Sequence, residues 1–332
     1  MPEPPPGSSP GTSLSQVAGR PALEPGQVAE LLEKRWGIVS SVTPLPSERD
    51  QNWLIRSSPR GELVLKIANQ ADDTAIIELQ QMMMDKLVRA GLPCPHVVPT
   101  LDGQSIDSSQ AGLAWLITAL PGRTLATTAE RTESLLGDLG EVLGRAQVAL
   151  AGFDHPAAHR HLQWDVLNAG AVFDAYSSQV KDPTRAEILR LVIDGYERRL
   201  AAALPQLPRS VIHNDANDHN VLVSDGRISG LIDFGDALHT VRVNELAIAC
   251  AYAMLDAAEP QQAVNSISTG YRRHAELDPE EIAVLPDLIM TRLAMSVCIS
   301  AHQRTLRPAD AYLRVSEAPA WRLLTRLAKD TR

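Results

Sequence analysis

The chain has 332 residues, of which 44% are hydrophobic and 21% charged, as in an ordinary globular protein. Its net charge of −9 would repel nucleic acid and anionic membranes, which argues against both as partners. The three cysteines fit no metal-binding spacing and favour a reducing compartment. No signal peptide is recognisable, and no apolar run approaches the ~18 residues that span a membrane. We therefore expect a cytoplasmic protein.

The N-terminal part of the chain reads as a tail followed by a small sheet. Residues 1–21 are rich in proline, glycine and serine and are predicted to be disordered. Val28, Leu31, Leu32 and Trp36 share one face of the helix expected next. Hydrophobic patterning and turn signals then predict strands, a helix and a last strand, at 40–46, 51–58, 61–69, 71–91 and 113–120. The turn signal SPRG separates the second and third strands.

Helical patterns dominate after the breaker pair Pro121-Gly122. Helices are expected at 131–152, 184–203, 244–257, 260–274, 279–304 and 318–329. Pro286 should kink or split the fifth of these helices. Short strands and loops fill 211–234 instead. This order predicts an α+β, two-lobed protein-kinase-like fold, with an N-terminal lobe over 22–120 and a helical C-terminal lobe over 121–332.

Two neighbouring polar motifs carry the chemistry of this second lobe. In VIHNDANDHNVLV, residues His213, Asp215 and Asn220 fit the pattern H-x-D-x-x-x-x-N, and IDFG places Asp233 after the next apolar strand. This order is that of the catalytic and metal loops of phosphoryl-transfer enzymes. Asp215 is expected to accept the proton of the attacking hydroxyl, whereas Asn220 and Asp233 offer oxygen ligands to Mg²⁺. His213 is expected to bond the loop backbone rather than to move protons.

The N-terminal lobe is expected to bind the nucleotide. Lys66 lies among alternating apolar residues and is predicted to contact the α- and β-phosphates, with Glu78 of the following helix as its partner. A snorkelling lysine and a solvated glutamate are the alternatives. The turn LPSERDQNW has no glycine, so a glycine-rich phosphate loop is absent. The backbone amides of 48–51, or the side chains of Ser47 and Asn52, are candidates to replace it.

These motifs resemble those of the aminoglycoside phosphotransferase/choline kinase superfamily, over about 27–327 of the chain. The phrases SERDQNWLI, VIHNDANDHNVLV and GLIDFGDALHTVRVNELAIACAYAM are similar to those of hydroxylysine kinases and of kinase domains fused ahead of class III aminotransferases. The resemblance implies Mg²⁺ with ATP or GTP as phosphoryl donor, GTP being associated with hydroxylysine kinases. It implies Asp215 as base, Asn220 and Asp233 as metal ligands, and Lys66 as phosphate contact. The hinge at Thr118 to Leu120 would receive the purine.

Two departures from the superfamily pattern narrow the resemblance. Asn214 replaces a glycine that is common at this position, and Glu245 takes the place where aminoglycoside kinases usually have aspartate. Both favour the hydroxylysine-kinase branch over antibiotic-resistance enzymes.

The acceptor pocket is harder to predict. An amine would need carboxylates near Asp215, and Asp218, Asp236 and Glu245 are candidates, although each could equally cap a helix or be solvated. Arg292, in the apolar segment MTRLAMSVCISA, could bind a substrate carboxylate or close a structural ion pair. Trp164 could line the pocket or pack in the core.

The sequence therefore predicts a phosphotransferase that acts on the hydroxyl of a small amine or amino acid, of hydroxylysine-kinase type. Aminoglycoside, choline/ethanolamine and homoserine kinases are the alternatives within the superfamily. A catalytically inactive relative that binds nucleotide or metabolite is the alternative from another class, and the presence of the base Asp215 argues against it. A protein kinase is disfavoured because the chain has no glycine-rich loop and no APE phrase.

Overall fold

The computed structural model describes residues 20–47, 49–57, 61–108, 112–308 and 315–330. The predicted tail, apart from its last two residues, and the centre of the SPRG turn lie outside these residues. The chain divides into two compact units, Met1–Thr74 with Val97–Ala119 and Ala75–His96 with Leu120–Arg332. Residues 75–96, which the sequence analysis placed in the N-terminal lobe, group with the second unit.

An antiparallel sheet forms the first unit. Helix α1, Pro25–Trp36, begins with a capping box between Glu24 and Gln27 and ends at Gly37, whose φ is 65°. The sheet strands are β1 (Val42–Leu45), β2 (Gln51–Ser57), β3 (Gly61–Ile67), β4 (Val97–Val98) and β5 (Ala114–Thr118). They lie in the order β1-β2-β3-β5-β4. The apolar face of α1 and alternate residues of β2 and β3 form the core of this unit.

The second unit is largely helical. Its helices are α2 (Thr74–Arg89, whose first residue groups with the first unit), α3 (Glu133–Ala149), α4 (Ala169–Tyr176), α5 (Pro183–Gly195), α6 (Asn244–Ala253), α7 (Pro260–Arg272), α8 (Pro279–Leu306) and α9 (Glu317–Asp330). Its strands are β6 (Arg123–Thr124), β7 (Arg209–Ile212), β8 (Val221–Ser224), β9 (Arg227–Leu231) and β10 (Leu238–Val241). They form a small sheet, β6-β8-β9, and an antiparallel pair, β7-β10. Together, the two units form an α+β fold.

Helix α8 is the apolar centre of the second unit. Its residues from Leu288 to Ala301 are almost all buried, which accounts for their apolar composition. By length and composition alone, α8 meets the criteria for a membrane-spanning helix. Two thirds of that apolar window, 67%, is buried inside the protein. Pro286 was expected to kink or split this helix; the split is wrong, because α8 runs through this residue without interruption, and the kink stays a prediction. Pro286 has no backbone N–H to donate to the carbonyl oxygen of Ile282, one turn earlier. Ile282 is 42% exposed, so water can bond that oxygen instead.

Candidate active site

The catalytic loop, residues 213–220, connects β7 to β8 and begins with an unusual backbone conformation. Asn214 has φ of 64°, in the left-handed region that asparagine and glycine adopt most readily. Its backbone N–H donates to Glu245 Oε2 at 3.1 Å, and its Oδ1 accepts from Asn244 Nδ2 at 3.2 Å. This conformation gives a physical reason why asparagine can stand where related sequences have glycine. Glu245, at the start of α6, therefore supports the catalytic loop through a hydrogen bond to its backbone.

His213 fixes the loop in the way the sequence predicts. Its Nε2 lies 3.0 Å from the carbonyl oxygen of Ile232, and its Nδ1 accepts the backbone N–H of Asp215 at 3.2 Å. Because Nδ1 accepts, the ring is neutral and carries its proton on Nε2. The imidazole also packs edge-on against Phe234, with ring centroids 4.6 Å apart. The prediction of a backbone-bonding histidine is confirmed.

Asp215 is surrounded by hydrogen-bond donors. Its Oδ1 accepts from Arg292 Nη2 and from Asn217 Nδ2, each at 2.9 Å, and its Oδ2 accepts from Asn220 Nδ2 at 2.7 Å. Burial raises the pKa of Asp215 well above its ordinary value, Arg292 opposes that rise, and the carboxylates of Asp236 and Asp233 add to it. A carboxylate in this environment accepts a proton more readily than one in water. That property suits a general base.

Asn217 and Asn220, the two loop asparagines that bond Asp215, have fixed orientations. Asn217 Oδ1 accepts the backbone N–H groups of His219 and Asn220, at 2.8 and 3.2 Å, which leaves its Nδ2 for Asp215. Asn220 Nδ2 donates to both the carbonyl oxygen and Oδ2 of Asp215, so its own Oδ1 points away from that residue. An amide oxygen presented in this way is a suitable Mg²⁺ ligand. The sequence analysis did not single out Asn217.

The β8–β9 hairpin brings the metal loop, residues 233–236, beside the catalytic loop. Asp225 and Gly226 form its turn with φ of 51° and 74°, as the phrase SDGR predicts. Past the paired strands, the N–H of Ile232 donates to the carbonyl oxygen of Asn220 at 3.0 Å, and exposed Asp233 follows directly. Asp233 and Asn220 thus offer one carboxylate and one amide oxygen. Mg²⁺ usually binds only a few protein groups when phosphates supply its remaining ligands. Within the described ranges, no group of three or more His, Cys, Asp or Glu residues could hold a metal alone.

An arginine that the sequence analysis missed supports the metal loop. Arg160 Nη2 donates to the carbonyl oxygens of Gly235 and Ala237, the latter at 3.4 Å. Asp233 itself has φ of 64°, a left-handed conformation that an aspartate adopts only where its surroundings hold it. The backbone bonds from Arg160 supply part of that support. No sequence signal distinguishes Arg160 from other surface arginines.

The candidate acceptor residues of the second unit fall into two groups. Arg292 bonds Asp215 and lies over the Trp164 ring, with 4.5 Å between Cζ and the ring centroid, and Asp236 is near enough to shift the pKa of Asp215. Asp218 instead forms an ion pair with Arg131 at 2.9 Å and lines a cavity of about 780 Å³. Neither Asp215 nor Asp233 lines that cavity. The structure therefore does not gather Asp218 with the others.

Lys66 has a carboxylate partner within the first unit. Its side chain is buried, and its Nζ lies 4.0 Å from Asp50 Oδ2 and 5.5 Å from the centroid of the Trp115 ring. Asn52 is opposite Lys66 in the β2–β3 register. Asp50, in the glycine-free turn, is a partner that the sequence analysis missed. The predicted partner Glu78 is exposed and belongs to the second unit, so its role stays a prediction.

The remaining nucleotide-binding candidates are distributed over both units. Ser47 is half-buried before the glycine-free turn, and Thr118 ends β5 opposite Leu63 of β3. Leu120 begins the main segment of the second unit. Their roles toward a nucleotide stay predictions.

Residues 41–279 match the model of the phosphotransferase enzyme family, which is more than half of the chain. The chain belongs to this phosphotransferase family. Hydroxylysine kinase of Danio rerio is 31% identical over 336 residues, covering 95% of this chain and 94% of the relative. Homoserine kinase of Methylobacillus flagellatus is 27% identical over 301 residues, covering 89% of this chain and 86% of the relative.

Solved structures of small-molecule kinases have the same fold as this phosphotransferase. A microcompartment-associated aminopropanol kinase gives a TM-score of 0.71 at 17% identity, covering 92% of this chain and 98% of that one. Amicoumacin kinase, solved in complex with AMP-PNP, Ca²⁺ and Ami, gives a TM-score of 0.68 at 17% identity, covering 91% of this chain and 93% of that one. The predicted two-lobed, protein-kinase-like α+β fold is confirmed.

Proposed function

We propose that this phosphotransferase moves the γ-phosphoryl group of a nucleoside triphosphate to the hydroxyl of a small hydroxylated amine, with 5-hydroxylysine as the leading acceptor. The observation that carries the proposal is the position of Asp215, which accepts three hydrogen bonds of 2.7–2.9 Å. The loop that contains Asp215 also presents Asn220. Similarity to hydroxylysine kinases over almost the whole chain supports the acceptor.

Each residue of the two loops has a role in this reaction. Asp215 accepts the proton of the hydroxyl as its oxygen attacks the phosphorus atom. Asn220 Oδ1 and the carboxylate of Asp233 would hold Mg²⁺, which when bound neutralises charge on the phosphates. Lys66 of the first unit, with Asp50 beside it, is proposed to contact the phosphates. Thr118 of the first unit and Leu120 of the second are proposed to contact the purine. ATP and GTP both remain candidate donors.

The charge around Asp215 favours an acceptor with an ammonium group next to its hydroxyl. The carboxylates of Asp236 and Asp233 lie near enough to Asp215 to raise its pKa, whereas the guanidinium of Arg292 lowers it. We refer to these three carboxylates as the negative cluster. A carboxylate beside the acceptor hydroxyl would be repelled there, whereas an ammonium would be attracted. Asp236 is partly exposed and is the residue we assign to that ammonium. In 5-hydroxylysine the hydroxyl and an amine are on neighbouring carbons, as this arrangement requires.

Homoserine kinase activity is the second candidate, because homoserine kinases are also similar to most of this chain. Homoserine carries its hydroxyl two carbons from the carbon that bears its charged groups. The negative cluster therefore gives it less stabilisation than it gives a neighbouring ammonium. We further propose that the enzyme acts in the cytoplasm, since its three cysteines are buried and unpaired.

The test is release of nucleoside diphosphate in the presence of Mg²⁺. ATP and GTP would each be offered with 5-hydroxylysine, 1-amino-2-propanol, ethanolamine, homoserine, choline and kanamycin. We expect the highest kcat/KM for 5-hydroxylysine. The Asp215→Asn variant should lose on the order of 10²–10⁴-fold in turnover while still binding nucleotide.

Asp236→Asn separates the acceptor assignment from the reaction itself. This variant should raise KM for 5-hydroxylysine about 10-fold or more, because it removes one charge from the ammonium site. Its effect on homoserine should be smaller. Turnover by Asp215→Asn at the wild-type rate would contradict the base. Nucleotide binding without turnover on any acceptor would favour an inactive, ligand-binding relative.

A further inference from the structure

Arg292 is a buried charge in the most apolar helix of the protein. Its side chain is 3% exposed, and its neighbours Leu288, Ile289, Leu293 and Ala294 on α8 are all buried. Removing a guanidinium from water is unfavourable unless the charge is paired. The sequence analysis left two uses open for it, a substrate carboxylate and a structural ion pair. The partner in the structure is Asp215, the proposed base.

Aromatic rings and a carbonyl hold this guanidinium in one place. Its Cζ lies 4.5 Å from the centroid of Trp164 and 5.6 Å from that of Tyr252. Nη1 donates to the carbonyl oxygen of Trp164 at 3.4 Å. A planar cation that stacks on rings and bonds through a rigid fork has little freedom to reorient. Arg292 therefore presents Nη2 to Asp215 from a fixed direction.

The donors around Asp215 are distributed unequally between its two oxygens. Oδ1 accepts two hydrogen bonds, from Arg292 and Asn217, whereas Oδ2 accepts one, from Asn220. A carboxylate oxygen has about two lone-pair sites, so both sites of Oδ1 are filled and one of Oδ2 remains. A substrate hydroxyl can therefore give its proton to Oδ2 without displacing a bond.

Arg292 is poorly placed to bind a carboxylate of the acceptor. Its Nε has no hydrogen-bond partner in the described part of the chain and is therefore a donor that a substrate carboxylate could use. That atom is buried, however, so a substrate cannot reach it. The carboxylates of Asp236 and Asp233 also lie near enough to Asp215 to raise its pKa. A second anion there would meet three carboxylates and a guanidinium that is already paired. Geometry and charge thus both favour the intramolecular partner.

We propose that Arg292 is a positioning residue for the base: together with Asn217 it holds Asp215 through Oδ1, so that Oδ2 takes the proton of the acceptor hydroxyl. This inference rests on the proposed function. Removing Arg292 would leave the Asp215 carboxylate held only by the amides of Asn217 and Asn220, so that it could move from its position. A misplacement of about 1 Å costs on the order of 10²-fold in rate.

The test compares Arg292→Met and Arg292→Lys with the wild-type protein. Arg292→Met should lower kcat about 10²-fold while changing KM for the nucleotide by less than about 3-fold. Arg292→Lys, which keeps the charge, should recover part of the loss. The factor should be the same for 5-hydroxylysine, which has a carboxylate, and 1-amino-2-propanol, which has none. Combining Arg292→Met with Asp215→Asn should add little to the loss from Asp215→Asn alone.

Arg242→Met is the matched control for loss of a buried ion pair. Arg242 Nη2 lies 2.6 Å from Oε2 of Glu281, which is fully buried, away from both loops. This variant should lower the thermal midpoint and leave kcat per folded molecule unchanged. Wild-type kcat in Arg292→Met would overturn the proposal. So would a loss confined to KM for carboxylate-bearing acceptors, because that result identifies Arg292 as a substrate receptor.

Crystal structures of the wild-type protein and Arg292→Met decide the proposal even if no acceptor is turned over. Absence of turnover by the wild-type protein would count against the proposed function alone. The positioning role then predicts one ordered Asp215 rotamer in the wild-type protein and a displaced or disordered one in the variant. An unchanged Asp215 rotamer in Arg292→Met would overturn it.

Discussion

Glu245 supports the catalytic loop while being almost completely buried, with 5% of its surface exposed. Burial raises its pKa to about 7 from an ordinary value of 4.5, although the loop amides of Asn214, His213 and Ala216 and the charge of Arg292 oppose the rise. The carboxylate is the form that best accepts those amides. The residue therefore supports the loop at a cost in stability that depends on pH.

The sign of that dependence follows from proton binding. Between about pH 4.5 and 7, the folded protein holds a proton on Glu245 that the unfolded chain has released. The free energy of unfolding therefore falls as pH rises through this window, and is highest, as far as Glu245 contributes, below it. The total effect is on the order of 3 kcal/mol.

Glu245→Gln tests this dependence, because glutamine keeps an acceptor oxygen but cannot ionise. Thermal midpoints of the variant and the wild-type protein would be compared at about pH 5 and about pH 8. The wild-type protein should lose stability relative to the variant on going to the higher pH, whereas other titrating groups are common to both. A difference in midpoint that is the same at both values would contradict the raised pKa.

Residues of the two loops could be predicted because their spacing is local. Asp215, Asn220 and Asp233 lie within one loop and one hairpin, so sequence order alone brings them near one another. Arg292 contacts Asp215 from 77 positions further along the chain, and Arg160 contacts Gly235 from 75 positions before it. Their partners depend on how whole helices and loops pack. The position of Arg292 in an apolar helix indicated that it has a charged partner, but it did not identify that partner as Asp215.

At the scale of elements, α3 and α7 pack unusually closely through glycine. A Cβ at Gly140 would lie 2.7 Å from the backbone nitrogen of Tyr271 and would overlap the carbonyl oxygen of Ile267. Gly144 and Gly270 are equally confined by backbone atoms of the facing helix. Backbone atoms cannot move aside as side chains do. The separation of the two helices is therefore set by residues that lack a side chain.

Gly140→Ala should destabilise the protein by about 1–3 kcal/mol, because the helices must separate to admit a methyl group. The matched control is Gly137→Ala on the same helix, where the nearest atom to a new Cβ is 3.9 Å away. That change should be neutral or stabilise by about 0.5–1 kcal/mol, since alanine is the better helix former. Thermal midpoints measure both. Equal effects of the two substitutions would contradict the close packing.

Long elements with clear periodicity could be predicted from the sequence, whereas several short ones could not. Helices α1, α3 and α7 follow patterns that repeat over several turns. Strands β4 and β6 have two residues each, too few for any alternation, and β10 and α4 were missed as well. Pro286 is the opposite case: a local rule predicts a kink or a split there, and burial of the following part of α8 accounts for the absence of the split.

At the scale of the whole molecule, the fold belongs to a family whose members differ in the acceptor they phosphorylate. Relatives at similar coverage are hydroxylysine and homoserine kinases, and solved neighbours include kinases of aminopropanol and amicoumacin. Membership of the phosphotransferase family therefore gives the class of reaction, whereas the acceptor depends on a few side chains. The charge of Asp215, Asp233 and Asp236 with Arg292 is the feature from which we infer an amine beside the hydroxyl.

The most direct measurement is a ³¹P NMR spectrum of the wild-type protein incubated with Mg²⁺, ATP or GTP, and 5-hydroxylysine. The account predicts a new phosphomonoester resonance, split by the single proton on the carbon that bears a secondary hydroxyl. It also predicts that this resonance is absent with Asp215→Asn. A spectrum with only nucleoside diphosphate and inorganic phosphate would contradict phosphorylation of this acceptor. The same ester formed equally fast by Asp215→Asn would contradict the proposed base.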